Sequence, residues 1–410
     1  MKRLLISLSI TGLAFALTNC TTTTAPPVNA PQRCVATPAC ATNPPSEASL
    51  PSAVPKPPAP SMQAAQWDDL TGWETDDPAP ALAALVDSCR VLAKQVLWQP
   101  VCAAAGKVGA QTPDALRAWF TTQFQPWMMV NADGSLTGMI TGYYEPVLQG
   151  SRKPSKQNSY PVYGPPDDLI TVDLSELYPE LKNLRLRGRL EGKKIVPYYA
   201  RADWDQQKSK HSQKVVAWVS NAIDLFFMQV QGSGQVALSD GSRIRLGYAD
   251  QNGHPYRSIG RWLIDQGEIT IEQASMQGIK EWARLNPQRL NELLNQNPSM
   301  VFFRELPLTG KGPLGAMGIP LTPERSLAVD PRYIPLGAPV WLVTTRPNSD
   351  QSLARLMLAQ DTGGAIRGAV RGDYYWGSGT DAGNVAGKMR QTGRLWVLMP
   401  KGFAPNDAPK

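Results

Sequence analysis

Apolar residues over 78–97 recur at helical spacing, with Leu82, Leu85, Val86 and Cys89 on one face, and predict a helix. A second helix start is read at Thr112-Pro113-Asp114, with Thr112 as cap and Pro113 in the first helical position. The period then shortens to that of a strand over 135–144, which ends in T-G-Y-Y-E-P. An apolar run at 226–230 leads into Q-G-S-G, and the Asp240-Gly241 pair that follows is a hairpin signal. Helices are predicted over 258–265, 271–285 and 287–296. Short strands follow at 300–303, 326–330, 339–345, 353–360 and 394–399. Many short strands between Gly and Pro turns predict a small closed barrel. No internal repeat is evident.

The N-terminus changes where such a domain would work. Met1-Lys2-Arg3 precedes an apolar run over 4–17 that is too short to span a bilayer, the pattern of an export signal. Cys20 directly after it, with Leu17 three positions before, resembles the lipobox of bacterial lipoproteins. That resemblance implies removal of residues 1–19 and lipidation of Cys20, although Asn19 departs from the small residue usual there. Acyl chains at about 0.8 kcal/mol per buried CH2 would make the anchor effectively permanent. Thr21, rather than Asp, implies the outer membrane, facing the periplasm. The alternative is an ordinary secretory signal cut elsewhere. Residues 20–66 then read as a tether: 21–61 hold eleven prolines and only Arg33, Glu47 and Lys56 as charges. Such a composition buries too little apolar surface to offset ordering, and its reach is on the order of 40 Å. The folded part is expected to begin near Trp67.

Composition narrows the partners. With 410 residues, 42% hydrophobic and 18% charged, the chain has room for two globular domains. The formal net charge of +7 falls to +5 without Lys2 and Arg3, and no long basic run marks a nucleic-acid surface. A mild positive excess suits an anionic polymer such as peptidoglycan. Cys34, Cys40, Cys89 and Cys102 allow three pairings in an exported chain. A Cys89–Cys102 bond is favoured, since Cys89 lies in a predicted helix and Cys102 just beyond it. His211 and His254 lack metal-ligand spacing, so no metal is expected. Gly232-Ser233-Gly234 fails as a nucleophile elbow because Gln231 and Gln235 stand where glycines belong. Gly377-Ser378-Gly379 fails as a dinucleotide loop because Ala382 replaces the last glycine, and no cofactor is expected.

Three aspartates carry the candidate chemistry: Asp330 in D-P-R-Y-I-P-L-G, Asp361 in D-T-G-G-A-I-R-G and Asp373 in G-D-Y-Y-W-G-S-G. The surrounding Gly and Pro predict sharp reversals that gather carboxylates into a water-poor site. Turn caps or a calcium site are the competing readings. Asp330, before Pro331, suits a turn, and Asp361 suits either role. Asp373 is the acid candidate, because the rings of Tyr374, Tyr375 and Trp376 are expected to exclude water and raise its pKa. Tyr143, Tyr144 and Glu145 either end a strand or, in a polysaccharide enzyme, flank sugar rings while Gln231, Gly232, Ser233 and Asn252 contact hydroxyls.

Taken in order, T-G-Y-Y-E-P, F-M-Q-V-Q-G-S-G, G-Y-A-D-Q-N-G-H-P-Y-R-S-I-G-R, N-P-S-M-V-F-F, D-P-R-Y-I-P-L-G, D-T-G-G-A-I-R-G and G-R-L-W-V-L resemble the membrane-bound lytic murein transglycosylase A family with its 3D domain. The resemblance implies a mainly β fold with several helices: a double-psi β-barrel from 67–145 and 300–403, a β-rich domain inserted at 146–299, and a glycan groove between them. It implies cleavage of the β-1,4 bond between N-acetylmuramic acid and N-acetylglucosamine in peptidoglycan strands, leaving 1,6-anhydromuramyl ends. Asp373 would be the single catalytic acid and then base, with Asp361 and Asp330 in support. Most glycosidases need two carboxylates, but here the sugar's C6 hydroxyl would attack, so one suffices. Wall-remodelling complexes are further implied partners. The competing readings are a catalytically inactive peptidoglycan-binding outer-membrane lipoprotein and a hydrolytic muramidase.

Overall fold

A computed structural model describes residues 61–404 except 182, 183, 185, 205–213 and 309–311. The expected signal, the lipidation site Cys20, most of the tether, Cys34, Cys40 and His211 lie outside the described residues. Among those described, no helix is long and apolar enough to cross a membrane.

Two β-sheets dominate. The first has eight strands in the order Ser61–Ala64, Phe124–Val130, Arg390–Pro400, Pro339–Thr345, Ser352–Asp361, Ser326–Val329, Gly372–Ser378 and Gly138–Glu145. Gly138–Glu145 also pairs back onto Arg390–Pro400, so six of these strands form a closed hydrogen-bonding circuit. The strand predicted at 135–144 is thus the closing member. The second sheet has six strands, running from Val301–Leu306 through Arg243–Gln251, Ser233–Leu238, Val147–Ser151 and Val215–Val219 to Tyr160–Tyr163. The strand expected near 300 therefore belongs to this second sheet. The chain also orders earlier than expected, because Ser61–Ala64 pairs with Phe124–Val130 inside the stretch read as tether.

The helix Ala79–Leu92 covers the first sheet. Its Ala81, Leu82, Leu85, Cys89 and Leu92 enter one core with Leu356, Trp341 and Trp396. Cys89 bonds Cys102, as expected, with the Cα atoms 5.4 Å apart. The bond ties this helix to Gln99–Ala105. Replacing both cysteines by serine should cost about 2–4 kcal/mol, read as a lower thermal midpoint that a reductant reproduces in the parent.

Capping explains several helix ends. Thr112 Oγ1 accepts the Ala115 N–H at 3.3 Å, matching the predicted cap. The helix predicted from 271 begins only at Met276, because Ser275 is its cap and a turn precedes it, closed by Gln273 onto the Thr270 N–H. The apolar run at 226–230 is helical, within Ala222–Gln231. That helix ends at Gly232 with φ of 77°, a left-handed position that favours glycine. The hairpin around Asp240-Gly241 forms as expected.

Candidate active site

Asp373 is not in a turn. It lies inside the strand Gly372–Ser378, opposite Thr141 on one neighbouring strand and Ala328 on the other. Ala328 in turn pairs with Asp361, the last residue of its strand. One row of the sheet therefore reads Thr141, Asp373, Ala328, Asp361, with a methyl group as the only side chain between the two aspartates. Two strand spacings place their Cα atoms about 10 Å apart. The period of two also corrects the expected aromatic wall. Tyr374 and Trp376 point into the core shared with the Ala79–Leu92 helix, while Tyr375 joins Tyr143, Leu321, Ala328 and Ile366 around the row. The Tyr143 and Tyr375 rings pack against each other tilted by 45°, with centroids 5.1 Å apart.

The carboxylates differ in what holds them. Asp361 is committed at both oxygens: Oδ1 accepts the N–H groups of Thr362 at 2.9 Å and Ala316 at 3.0 Å, and Oδ2 accepts the Tyr143 hydroxyl at 3.0 Å. Asp330 is fully buried and forms an ion pair with Arg332 at 2.6 Å, while also accepting the Gly368 and Arg332 N–H groups. It is a turn-holding group, as the structural reading expected. Asp373 accepts one bond, from Thr141 Oγ1 at 2.7 Å to Oδ1. Its Oδ2 bonds none of the described residues, and the side chain keeps a solvent-accessible edge.

Burial pushes the Asp373 carboxyl up to about 6, against the Thr141 hydroxyl and the Arg371 charge, which act to lower it. Burial likewise pushes Asp361 up to about 6, opposed by its N–H and hydroxyl donors and aided by the charge of Asp373. Because the two sense each other, their titration is a property of the pair. For Asp330 burial also acts upward, but Arg332 and the backbone donors outweigh it and hold the carboxyl below its ordinary range. Burial raises the Tyr143 hydroxyl far above its usual value, so it stays a proton donor. Among the described residues no three His, Cys, Asp or Glu side chains converge as a metal site would require.

Arg371 and Thr141 were not legible as site residues. Arg371 Nη2 donates to Thr141 Oγ1 at 2.8 Å, and the guanidinium also reaches the carbonyls of Met139 and Gly372. Thr141 is thereby left to give its own proton to Asp373. The available signal was periodicity, since Thr141 lies two residues before Tyr143 on a strand. Gly142 lets Trp376 pack closely, for a Cβ there would meet the Trp376 Nε1 at 2.7 Å.

The candidate sugar contacts separate in space. Glu145 is fully buried and its carboxylate is taken by Arg245 at 2.9 Å, Gln235 at 2.9 Å and Ser378 at 2.6 Å. Asn252 is buried too, bonding Tyr199 and Pro298 carbonyls and the Met300 and His254 N–H groups. Gln231 accepts the Tyr144 N–H at 3.0 Å, so Q-G-S-G joins helix to strand and ties the second sheet to the first. Tyr143 and Tyr144 are only 7% and 6% exposed, and the Tyr144 hydroxyl meets Met276 Sδ. Ser233 is partly exposed and its hydroxyl bonds none of the described residues.

A family model described as the MltA specific insert domain matches residues 139–304, and one described as the 3D domain matches residues 325–399. The membrane-bound lytic murein transglycosylase A of Escherichia coli K12 is 37% identical over 279 residues, which cover 66% of this chain and 68% of that relative. The crystal structure of MltA from Neisseria gonorrhoeae aligns with a TM-score of 0.73 at 39% identity, covering 85% of this chain and 94% of that one. The crystal structure of E. coli MltA with bound chitohexaose aligns with a TM-score of 0.56 at 30% identity, covering 79% and 90%.

Proposed function

Because this chain belongs to the membrane-bound lytic murein transglycosylase A family, we propose that it cleaves the β-1,4 bond between N-acetylmuramic acid and N-acetylglucosamine with Asp373 as its single acid and base. The observation that carries this reading is the uncommitted Oδ2 of Asp373, set against the fully engaged oxygens of Asp361 and Asp330. A carboxyl raised to about 6 is protonated in a useful fraction near neutrality. It would donate to the glycosidic oxygen as an oxocarbenium-like state develops. As a carboxylate it would then take the proton of the C6 hydroxyl, whose oxygen closes onto C1 to give the 1,6-anhydro ring. That nucleophile is already tethered, so no second catalytic carboxylate is needed. Asp361 would hold the loop at Ala316, Asp330 the turn at Arg332, and Ser233 would meet a sugar hydroxyl.

The closed six-strand circuit supports reading the first sheet as a double-psi β-barrel, with the second sheet as the inserted domain and the glycan groove between them. Sheet membership favours placing the division after Glu145 and between Leu306 and Ser326. Lipidation at Cys20, a tether and an outer-membrane station facing the periplasm complete the proposal.

Digestion of isolated sacculi tests it. Muropeptides ending in 1,6-anhydromuramic acid are expected; reducing ends, heavier by one water, would make the protein a muramidase, and no cleavage would leave a binding protein. Thr141→Val supplies a pH test. Loss of the hydroxyl removes an influence that lowers the Asp373 pKa, so the alkaline limb of kcat/KM should move up by about one pH unit, as loss of a charge-assisted bond of about 1.5 kcal/mol requires.

A further inference from the structure

The six-stranded sheet ends in the edge strand Tyr160–Tyr163. Between that strand and the helices Arg201–Trp204, Ala222–Gln231 and Leu290–Asn295 lies a cavity of about 300 Å³, which shares no lining residue with the aspartate row. Its floor is apolar, with Trp204 and Phe226 both buried. Its rim is polar: Ser159, Tyr160, Asn291 and Asn295 are exposed, and none of these side chains bonds another described residue. Asn291 and Asn295 stand one helical turn apart, so both amides face the same opening. Tyr160 is 38% exposed and lines the cavity.

We propose that this cleft is a second carbohydrate site, taking one N-acetylated hexosamine ring of a glycan strand away from the reacting ring. The inference rests on the glycan substrate argued above. Such a ring has an apolar C–H face suited to an aromatic floor, and hydroxyl and acetamido groups suited to unpaired amides and a phenol. The volume lies at the lower end of the roughly 300–1,000 Å³ found for small-ligand clefts, room for one ring and not for a folded partner. Charge argues against an anionic ligand. Among the described residues, Arg201 is the one cation lining the cavity, and its guanidinium donates to Gln229, Asn297 and Ser299 and lies over the Phe226 ring. An added peptide strand is disfavoured too, since Pro161 lacks the N–H that an edge would offer.

Two contacts on one polymer raise the local concentration of scissile bonds at the aspartates. The helix Ala222–Gln231 lies between the two places, turning Phe226 and Gln229 to the cleft and Gln231 to Tyr144.

Chitotetraose titrated into the full chain should shift the Met300 methyl resonance, which reports from the cavity wall, in a saturable way. In Tyr160→Ala/Asn295→Ala that shift should vanish. The same variant should need about tenfold more sacculus for half-maximal rate with kcat unchanged, and Asn291→Ala should weaken the shift severalfold. All three positions are exposed, so folding is not at risk. No saturable shift in the parent, or an undiminished one in the double variant, overturns the proposal. Because the resonance is read without turnover, failure to detect anhydro ends would sink the catalytic reading alone.

Discussion

Asp373→Asn should lower the rate of anhydromuropeptide release from sacculi by about 10³-fold or more, because one side chain is lost from both proton transfers and each is worth roughly 10²–10⁴. Asparagine keeps the shape and can still accept the Thr141 hydroxyl, so the variant should fold. The stability sign follows from the raised pKa. Asp373 binds its proton more tightly folded than unfolded, so its contribution to stability is present at low pH and is lost as pH rises from about 4 through about 6. The neutral variant lacks that loss and should melt no lower than the parent at pH 7. In the parent, kcat/KM should fall about tenfold per pH unit above about 6, since the free enzyme needs the protonated acid. Asp361 titrates nearby and will blur the limb. Asp361→Asn should cost far less activity, because its oxygens only hold Ala316, Thr362 and Tyr143. Undiminished anhydro products from Asp373→Asn, or a greater loss from Asp361→Asn, would remove Asp373 from the mechanism.

Arg245→Ala is expected to destabilise the fold by about 3–5 kcal/mol, the second large effect, measured as a shift in urea midpoint. Arg245 is 7% exposed and Glu145 0%, and removing the guanidinium would strand the carboxylate without its cation. The pair also has a structural reach. Glu145 ends the strand that carries Thr141 and Tyr143, while Arg245 and Gln235 belong to the second sheet, and Arg245 further bonds the Gly312 carbonyl. Loosening it should let the two sheets move and raise KM for sacculi. The double variant Glu145→Gln/Arg245→Met removes both charges and should recover most of the stability, since a buried pair is worth little against an apolar replacement but much against its own half. A single variant as stable as the parent would show that water reaches this junction.

Local chemistry was legible in the sequence wherever a few consecutive residues decide the outcome. Thr112-Pro113 set a helix start, Asp240-Gly241 a hairpin, and Asp330 before Pro331 a turn held by its own neighbour Arg332. Cys89 and Cys102 could be paired because both lie in one local stretch. The order of motifs pointed to the family. What the sequence could not decide were facts that depend on which strands lie side by side. Asp373, expected among sharp reversals, sits inside a strand because Tyr374, Tyr375 and Trp376 alternate between two apolar faces. Thr141 becomes its donor, and Ala328 the gap beside it, only through pairings across 232 and 45 residues of chain. Glu145 and Asn252, read as sugar contacts, proved to have their polar atoms spent inside the protein, and no spacing rule records a hydrogen bond to a residue far along the chain. Side-chain type and short-range order are written in the sequence; burial and partnership, which set the pKa of Asp373 and leave one of its oxygens free, arise only when distant strands pack.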